Sequence, residues 1–91
     1  MDIRNAEATS QLLISVNAAL DARLADLLAS CTPAEAQMQR RLFGSAMASL
    51  LDIANALYQE HPGLKPVQMG GPYNVSPTVI EAGVKLARQP A

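Results

Sequence analysis

Large aromatic side chains are scarce in this chain of 91 residues, which has no tryptophan, one phenylalanine and two tyrosines. Aromatic residues supply much of the buried area in small domains, so the core must be thin. The apolar residues are mainly alanine and leucine, which favour helices, whereas the β-branched and aromatic residues typical of strands are few. The composition therefore predicts one small all-α domain.

Cysteine and histidine each occur once, as Cys31 and His61. A single cysteine cannot form an intrachain disulfide, and structural metal sites usually combine several cysteine and histidine ligands. We therefore expect no metal and no cofactor, and the lone thiol fits a reducing cytoplasm.

The chain also lacks an excess of charge of either sign and a long hydrophobic run. Its net charge is −1, with the charged residues scattered, so neither nucleic acid nor an anionic membrane is an expected partner. Asp21, Arg23 and Asp26 interrupt the longest apolar region, which excludes a membrane span there. The apolar run 12–14 is too short for a signal peptide, so a cytoplasmic location is expected.

Two long helices are predicted in the first two thirds of the chain, over residues 6–30 and 33–60. In the first, leucines and a valine recur at helical spacing, at Leu13, Val16, Leu20, Leu24 and Leu27. Before the second, Thr32-Pro33-Ala34-Glu35 has the pattern of a capping box with proline at the first helical position. The few residues between the helices predict an antiparallel hairpin.

An irregular segment over residues 61–76 and a short helix over residues 77–88 complete the prediction. Proline and glycine interrupt the segment, and Gly70-Gly71-Pro72 predicts a turn rather than a phosphate-binding loop. Its spaced apolar side chains indicate an arm that packs on another surface and not the alternative, a flexible linker. Ser76 is the expected cap of the last helix. The expected buried residues of that helix are Val79, Ile80, Gly83, Leu86 and Ala87.

Two long rods with so little bulky core leave apolar surface uncovered, and a second copy is the simplest source of additional helices. We therefore expect a homodimeric helical bundle, with another protein as a further possible partner. Small residues permit close helix approach, and apolar residues of the arm provide anchors. The residues expected to contact a partner are Ile14, Ala18, Ala22, Ala25, Gly44, Ser45, Ala48, Ser49, Met69 and Tyr73.

The expected function is protein–protein interaction, as a small adaptor, assembly factor or helical chaperone of a bacterial-type cytoplasm, and not catalysis. One alternative is a DNA-binding regulator that uses the basic side chains Arg40, Arg41, Lys85 and Arg88. A second is an enzyme with Cys31 of one copy near His61 of another, because a continuous second helix separates the two residues within one chain.

Overall fold

A computed structural model describes residues 1–90 and confirms the all-α class. Three α-helices, α1 (Ile3–Leu28), α2 (Pro33–Glu60) and α3 (Pro77–Ala87), are joined by a short turn and by a segment with two 3-10 turns, Pro62–Leu64 and Val67–Met69. None of the helices in this described part combines the length and apolar character that crossing a membrane requires.

The first helix begins three residues earlier than predicted, because Asp2 caps it. The Asp2 carboxylate accepts a hydrogen bond from the Asn5 backbone amide at 2.9 Å, which satisfies one of the free amides of the first turn. The helix ends at Leu28, two residues before the predicted end, in a turn through Ser30.

The second helix has the predicted bounds and the predicted cap. The Glu35 amide donates to the Thr32 hydroxyl at 3.3 Å, and the Thr32 amide donates to the Glu35 carboxylate at 2.9 Å. The hydrogen bond from the Thr32 amide favours the ionised carboxylate and so lowers the pKa of Glu35. A reciprocal capping box thus fixes the point at which the chain turns back after α1.

The first helix is central, because both other helices pack on it. The hydrogen bond between Ser10 and Tyr58 places the start of α1 against the end of α2, so these two helices are antiparallel. On the other side of α1, Ser15 lies beside Val79 and Asp26 lies beside Arg88, so α3 runs parallel to α1.

The core lies at the end of the hairpin where α1 starts and α2 ends. It consists of Ala6, Ala54, Leu57, Tyr58 and Leu64. Ser10 is 1% exposed, and its hydroxyl shares a 2.7 Å hydrogen bond with the buried Tyr58 hydroxyl. One aromatic ring, two leucines and small neighbours therefore close one end of the helix pair.

The segment after α2 is an ordered arm that packs on its own hairpin. Leu64 is buried, and Met69 and Tyr73 pack against the core. The arm doubles back through Gly70, whose φ of 85° suits glycine, and Gly71, where a β-carbon would overlap the Lys65 carbonyl. Backbone hydrogen bonds between Val67 and Tyr73 and between Tyr73 and Lys65 hold the two sides together. The surface on which the arm packs is therefore part of the same chain.

The third helix contacts α1 closely through one glycine. A β-carbon on Gly83 would overlap the Ser15 carbonyl oxygen and come within 3.1 Å of the Ala18 β-carbon. The Ser15 hydroxyl donates to the Val79 carbonyl at 2.7 Å across the same contact. The helix ends at Ala87, one residue before the predicted end.

Two expectations for this helix are corrected. Ile80 and Leu86 are exposed rather than buried, because α3 meets α1 through Gly83 and these two side chains, three residues before and after it, lie on the two flanks of that contact. Ser76 occupies the cap position, but its hydroxyl pairs with the Thr78 hydroxyl at 2.8 Å and not with a backbone amide.

Candidate functional site

An open apolar groove of about 640 Å³ runs between α2 on one side and the arm with α3 on the other. The first helix forms its floor with Leu13, Ile14, Asn17, Ala18 and Asp21. The α2 wall consists of Gly44, Met47, Ala48, Leu50, Leu51, Ala54 and Tyr58. The opposite wall consists of Pro66, Gln68, Met69, Val75 and Ile80.

The groove exists because α2 and α3 lie on different sides of α1 and leave a gap over it. Along α2 it extends from Gly44 to Tyr58, which is about 21 Å at the rise of an α-helix. The small residues Gly44 and Ala48 leave space in the α2 wall, and a β-carbon on Gly44 would meet nothing within 4 Å. The gap therefore has the length of an additional helix of about three to four turns.

The lining is almost entirely apolar and carries one charge. Among residues 1–90, Asp21 is the only charged side chain that lines the groove, and Asn17 and Gln68 are the only amides. In the described chain, Asp21 takes part in no ion pair. A ligand that fits this surface is consequently apolar along most of its length, with a basic group where it passes Asp21.

Half of the ten residues expected to contact a partner line this one groove. Ile14 and Ala18 come from α1, Gly44 and Ala48 from α2, and Met69 from the arm. The sequence placed these residues on separate elements, and the structure brings them together.

The remaining expected residues lie elsewhere. Ala22 is buried within the chain, Ala25 is exposed outside the groove, and Ser45 and Ser49 are exposed on another side of α2. The α1 face that carries Ala18 and Ala22 was expected to be open, and α3 covers part of it.

Tyr73, one of the residues expected to contact a partner, forms hydrogen bonds within its own chain. Its hydroxyl donates to the Glu7 carboxylate at 2.7 Å and accepts from the Gln11 amide at 3.3 Å. The bond to Glu7 raises the pKa of Tyr73, because it requires the protonated phenol. Tyr73 therefore fastens the arm to α1.

The groove residues absent from the expected set include Met47, Leu51 and Ile80, whose large apolar side chains are typical of a binding surface. Met47 and Leu51 line the groove from α2, and Ile80, which was expected in the buried face of α3, lines it from the opposite wall. Exposure of Leu51 and Ile80 follows from the placement of α3, which helical periodicity alone does not specify.

The candidate catalytic pair does not form within the chain. Cys31 lies in the turn before α2, and His61 follows the other end of that helix, with 28 helical residues between them. His61 instead shares a 3.0 Å hydrogen bond with the Met1 carbonyl. Residues 1–90 also contain no group of three histidine, cysteine or acidic side chains placed to hold a metal ion.

The basic residues considered for DNA binding are divided between two helices. Arg40 and Arg41 lie on α2, whereas Lys85 and Arg88 lie in or beside α3. The Arg88 guanidinium already pairs with Asp26 at 3.2 Å. These side chains do not form one continuous basic element of the kind that follows a phosphate backbone.

Comparison of the chain with protein-family models, with curated proteins and with solved structures finds no match.

Proposed function

We propose that this chain is a protein-interaction module that binds one helix of another protein in the groove between α2 and the arm with α3. The observation that carries the proposal is the open apolar channel over α1, about 640 Å³ in volume. Apolar surface of this kind marks interaction sites, and a helix laid in a groove is a common mode of recognition.

The chemistry of the channel defines the class of partner. An amphipathic helix with apolar residues at i, i+3, i+4 and i+7 would place them against Met47, Leu51 and Ile80. The space in the α2 wall at Gly44 and Ala48 would let its backbone approach α2 closely. A lysine or arginine on that helix would meet Asp21. An adaptor or assembly factor of the cytoplasm is the role that this binding mode suits.

The other two functions have less support in the geometry. A catalytic reading requires Cys31 of one copy to lie near His61 of another, and within one chain His61 instead hydrogen-bonds with the Met1 carbonyl. A DNA-binding reading requires a basic surface, whereas the described residues that line the groove include one acidic side chain and no basic one.

Site-specific photo-crosslinking in the cells that express the chain tests the proposal. Ala48 in the α2 wall is replaced by p-benzoylphenylalanine, and Leu86 on the exposed side of α3 is replaced in a matched control. The expected result is one discrete adduct with another protein from position 48 and none from position 86. Adding Gly44→Leu should abolish this adduct, because the longer side chain fills the open space beside Gly44.

Four outcomes contradict the proposal. They are no adduct from position 48, the same adducts from positions 48 and 86, an adduct that survives Gly44→Leu, and an adduct of the chain with itself alone. A stable fold of the Gly44→Leu variant, checked by circular dichroism, shows that loss of the adduct reflects a filled groove.

A further inference from the structure

A second exposed apolar surface lies on α2, on the opposite side from the groove. Leu42 and Leu51 are nine residues apart, about 2.5 helical turns, so they point in opposite directions. Leu51 lines the groove, and Leu42 lies on the outer side. The outer strip, as we name this surface, consists of Met38, Leu42, Ala46, Ser49, Ile53 and Ala56, all of which are exposed.

The outer strip has the composition of a helix–helix interface and not of a solvated face. Met38, Leu42 and Ile53 are 52%, 52% and 53% exposed, and the strip contains no charged residue. From Leu42 onward its members are spaced four, three, four and three residues apart, which is the coiled-coil repeat. The Ser49 hydroxyl already donates to the Ser45 carbonyl at 3.2 Å, so burial would leave it with a hydrogen-bond partner.

The order of side chains along the strip suits a two-fold axis. Small residues, Ala46 and Ser49, lie at its centre, and large residues, Leu42 and Ile53, lie on either side. In an antiparallel pair of α2 helices centred between Met47 and Ala48, Leu42 would face the partner's Ile53. Ala46 would then face the partner's Ser49, and the small pair would permit close approach at the centre.

The charges beside the strip favour the same arrangement. Arg41 and Asp52 lie on one flank of the outer strip, and neither forms an ion pair within residues 1–90. In the antiparallel register, Arg41 comes within two residues of direct opposition to the partner's Asp52, an offset of about 3 Å along the axis. The two-fold axis repeats this pair, so each dimer gains two complementary contacts.

The ends of the strip limit the contact. In this register Glu35 would lie near the partner's Glu60, and each carboxylate already has a local partner. Glu35 belongs to the capping box, and Glu60 pairs with the terminal amine of Met1 at 2.8 Å. The apolar contact therefore spans the middle of α2, from Met38 to Ala56.

We infer that the outer strip binds the outer strip of a second copy of this chain, as an antiparallel two-fold dimer with Arg41 beside the partner's Asp52. The inference goes beyond the groove, which lies on the other side of α2 and stays open in such a dimer. A second copy fits better than an unrelated helix because the size pattern and the flanking charges both complement themselves.

Two substitutions on the same helix separate the outer strip from the groove. Sedimentation velocity should show a reversible dimer of the unmodified chain, with Leu42→Glu reducing it to a monomer and Leu51→Glu leaving the dimer intact. Leu42 and Leu51 are both substantially exposed, so neither change removes core packing. Circular dichroism checks that both variants keep their helix content. For crosslinking from position 48, the groove proposal expects the opposite result: Leu51→Glu should abolish the adduct, and Leu42→Glu should leave it. Failure of one proposal is therefore distinct from failure of the other.

Charge reversal tests the register. Arg41→Asp should raise the dimer Kd by about tenfold, because two favourable pairs become two repulsive ones. Asp52→Arg should do the same. The double variant should return to within about threefold of the unmodified chain, because the exchanged charges again face each other.

Three results would overturn the inference. They are a monomer at every concentration, a dimer broken by Leu51→Glu but not by Leu42→Glu, and a double charge variant weakened as much as the two single variants combined. The first two exclude the surface, and the third excludes the antiparallel register.

Discussion

The two contacts made by α1 differ in how closely the helices approach. Against α3, the backbone of α1 touches a glycine, and the Ser15–Val79 hydrogen bond and the Asp26–Arg88 ion pair lie along the same contact. Against α2, complete burial is confined to the ends of the helix pair, at the Tyr58 core and at Ala36. Between these ends, α2 keeps large apolar side chains half-exposed or exposed.

This difference explains why the shortest helix is well attached while the longest keeps apolar surface available. Eleven residues are too few for a helix that is stable alone, so α3 depends on its contact with α1. The capping box and the core already hold α2 at its two ends. Its middle is therefore free to present two apolar sides, the groove wall and the outer strip.

The largest expected effect breaks the tight contact. Gly83→Ala should lower the free energy of unfolding by about 2 kcal/mol or more, because the new methyl group overlaps the Ser15 backbone, which cannot rotate away. Urea unfolding followed by circular dichroism at fixed protein concentration measures the change. Gly63→Ala, where a β-carbon meets nothing within 4 Å, is the matched control. A fully stable Gly83→Ala variant would show that the close contact is absent in solution.

An intermediate effect is expected in the core, where the start of α1 packs against the end of α2. Tyr58→Phe should cost about 1–2 kcal/mol, because it leaves the buried Ser10 hydroxyl without its 2.7 Å partner. Adding Ser10→Ala should cost little more, since the double variant has no unpaired hydroxyl left in the core. A double-mutant cycle by urea unfolding measures this coupling. Additive losses would mean that the two hydroxyls do not interact.

The smallest effect has the opposite sign and concerns the open side of α2. Gly44→Ala should raise the free energy of unfolding by about 0.5–1 kcal/mol, since alanine favours helix and nothing lies within 4 Å of the new methyl group. The same urea experiment compares it directly with Gly83→Ala. Destabilisation by Gly44→Ala would indicate that another helix already lies against α2 at this point.

Local signals in the sequence predicted the elements well. The capping box at Thr32 and Glu35 predicted where α2 starts and so where the hairpin turns. The prediction was possible because the two residues that form the hydrogen bonds are only three apart in the sequence. The same logic applies to the start of α1, where Asp2 is a good cap followed by helix-forming residues.

The placement of the elements depends on contacts between distant residues, and periodicity does not specify those. Gly83 meets Ser15 across more than sixty residues of sequence, and this contact determines which side of α3 faces α1. Ile80 therefore lines the groove, although its spacing fits a buried face. Tyr73 likewise pairs with Glu7 through the path of the arm, which proline and glycine signals locate but do not orient.

The prediction of a thin core is consistent with the structure. The homodimer that was expected to follow from it stays a proposal. The chain buries few large side chains and leaves Met38, Leu42, Leu51 and Ile53 substantially exposed on a single helix. Such residues on a long amphipathic helix are typical of a surface that another helix covers.

Residue-resolved amide hydrogen exchange over a dilution series tests the central claim most directly, which is that the middle of α2 is open in one chain and covered by association. In dilute solution, amides over residues 41–52 should exchange faster than those of α1 over residues 10–22. Their protection should then rise with protein concentration, while protection along the contact of α1 with α3 stays constant. Equally slow exchange along the whole of α2 at every concentration would contradict the account.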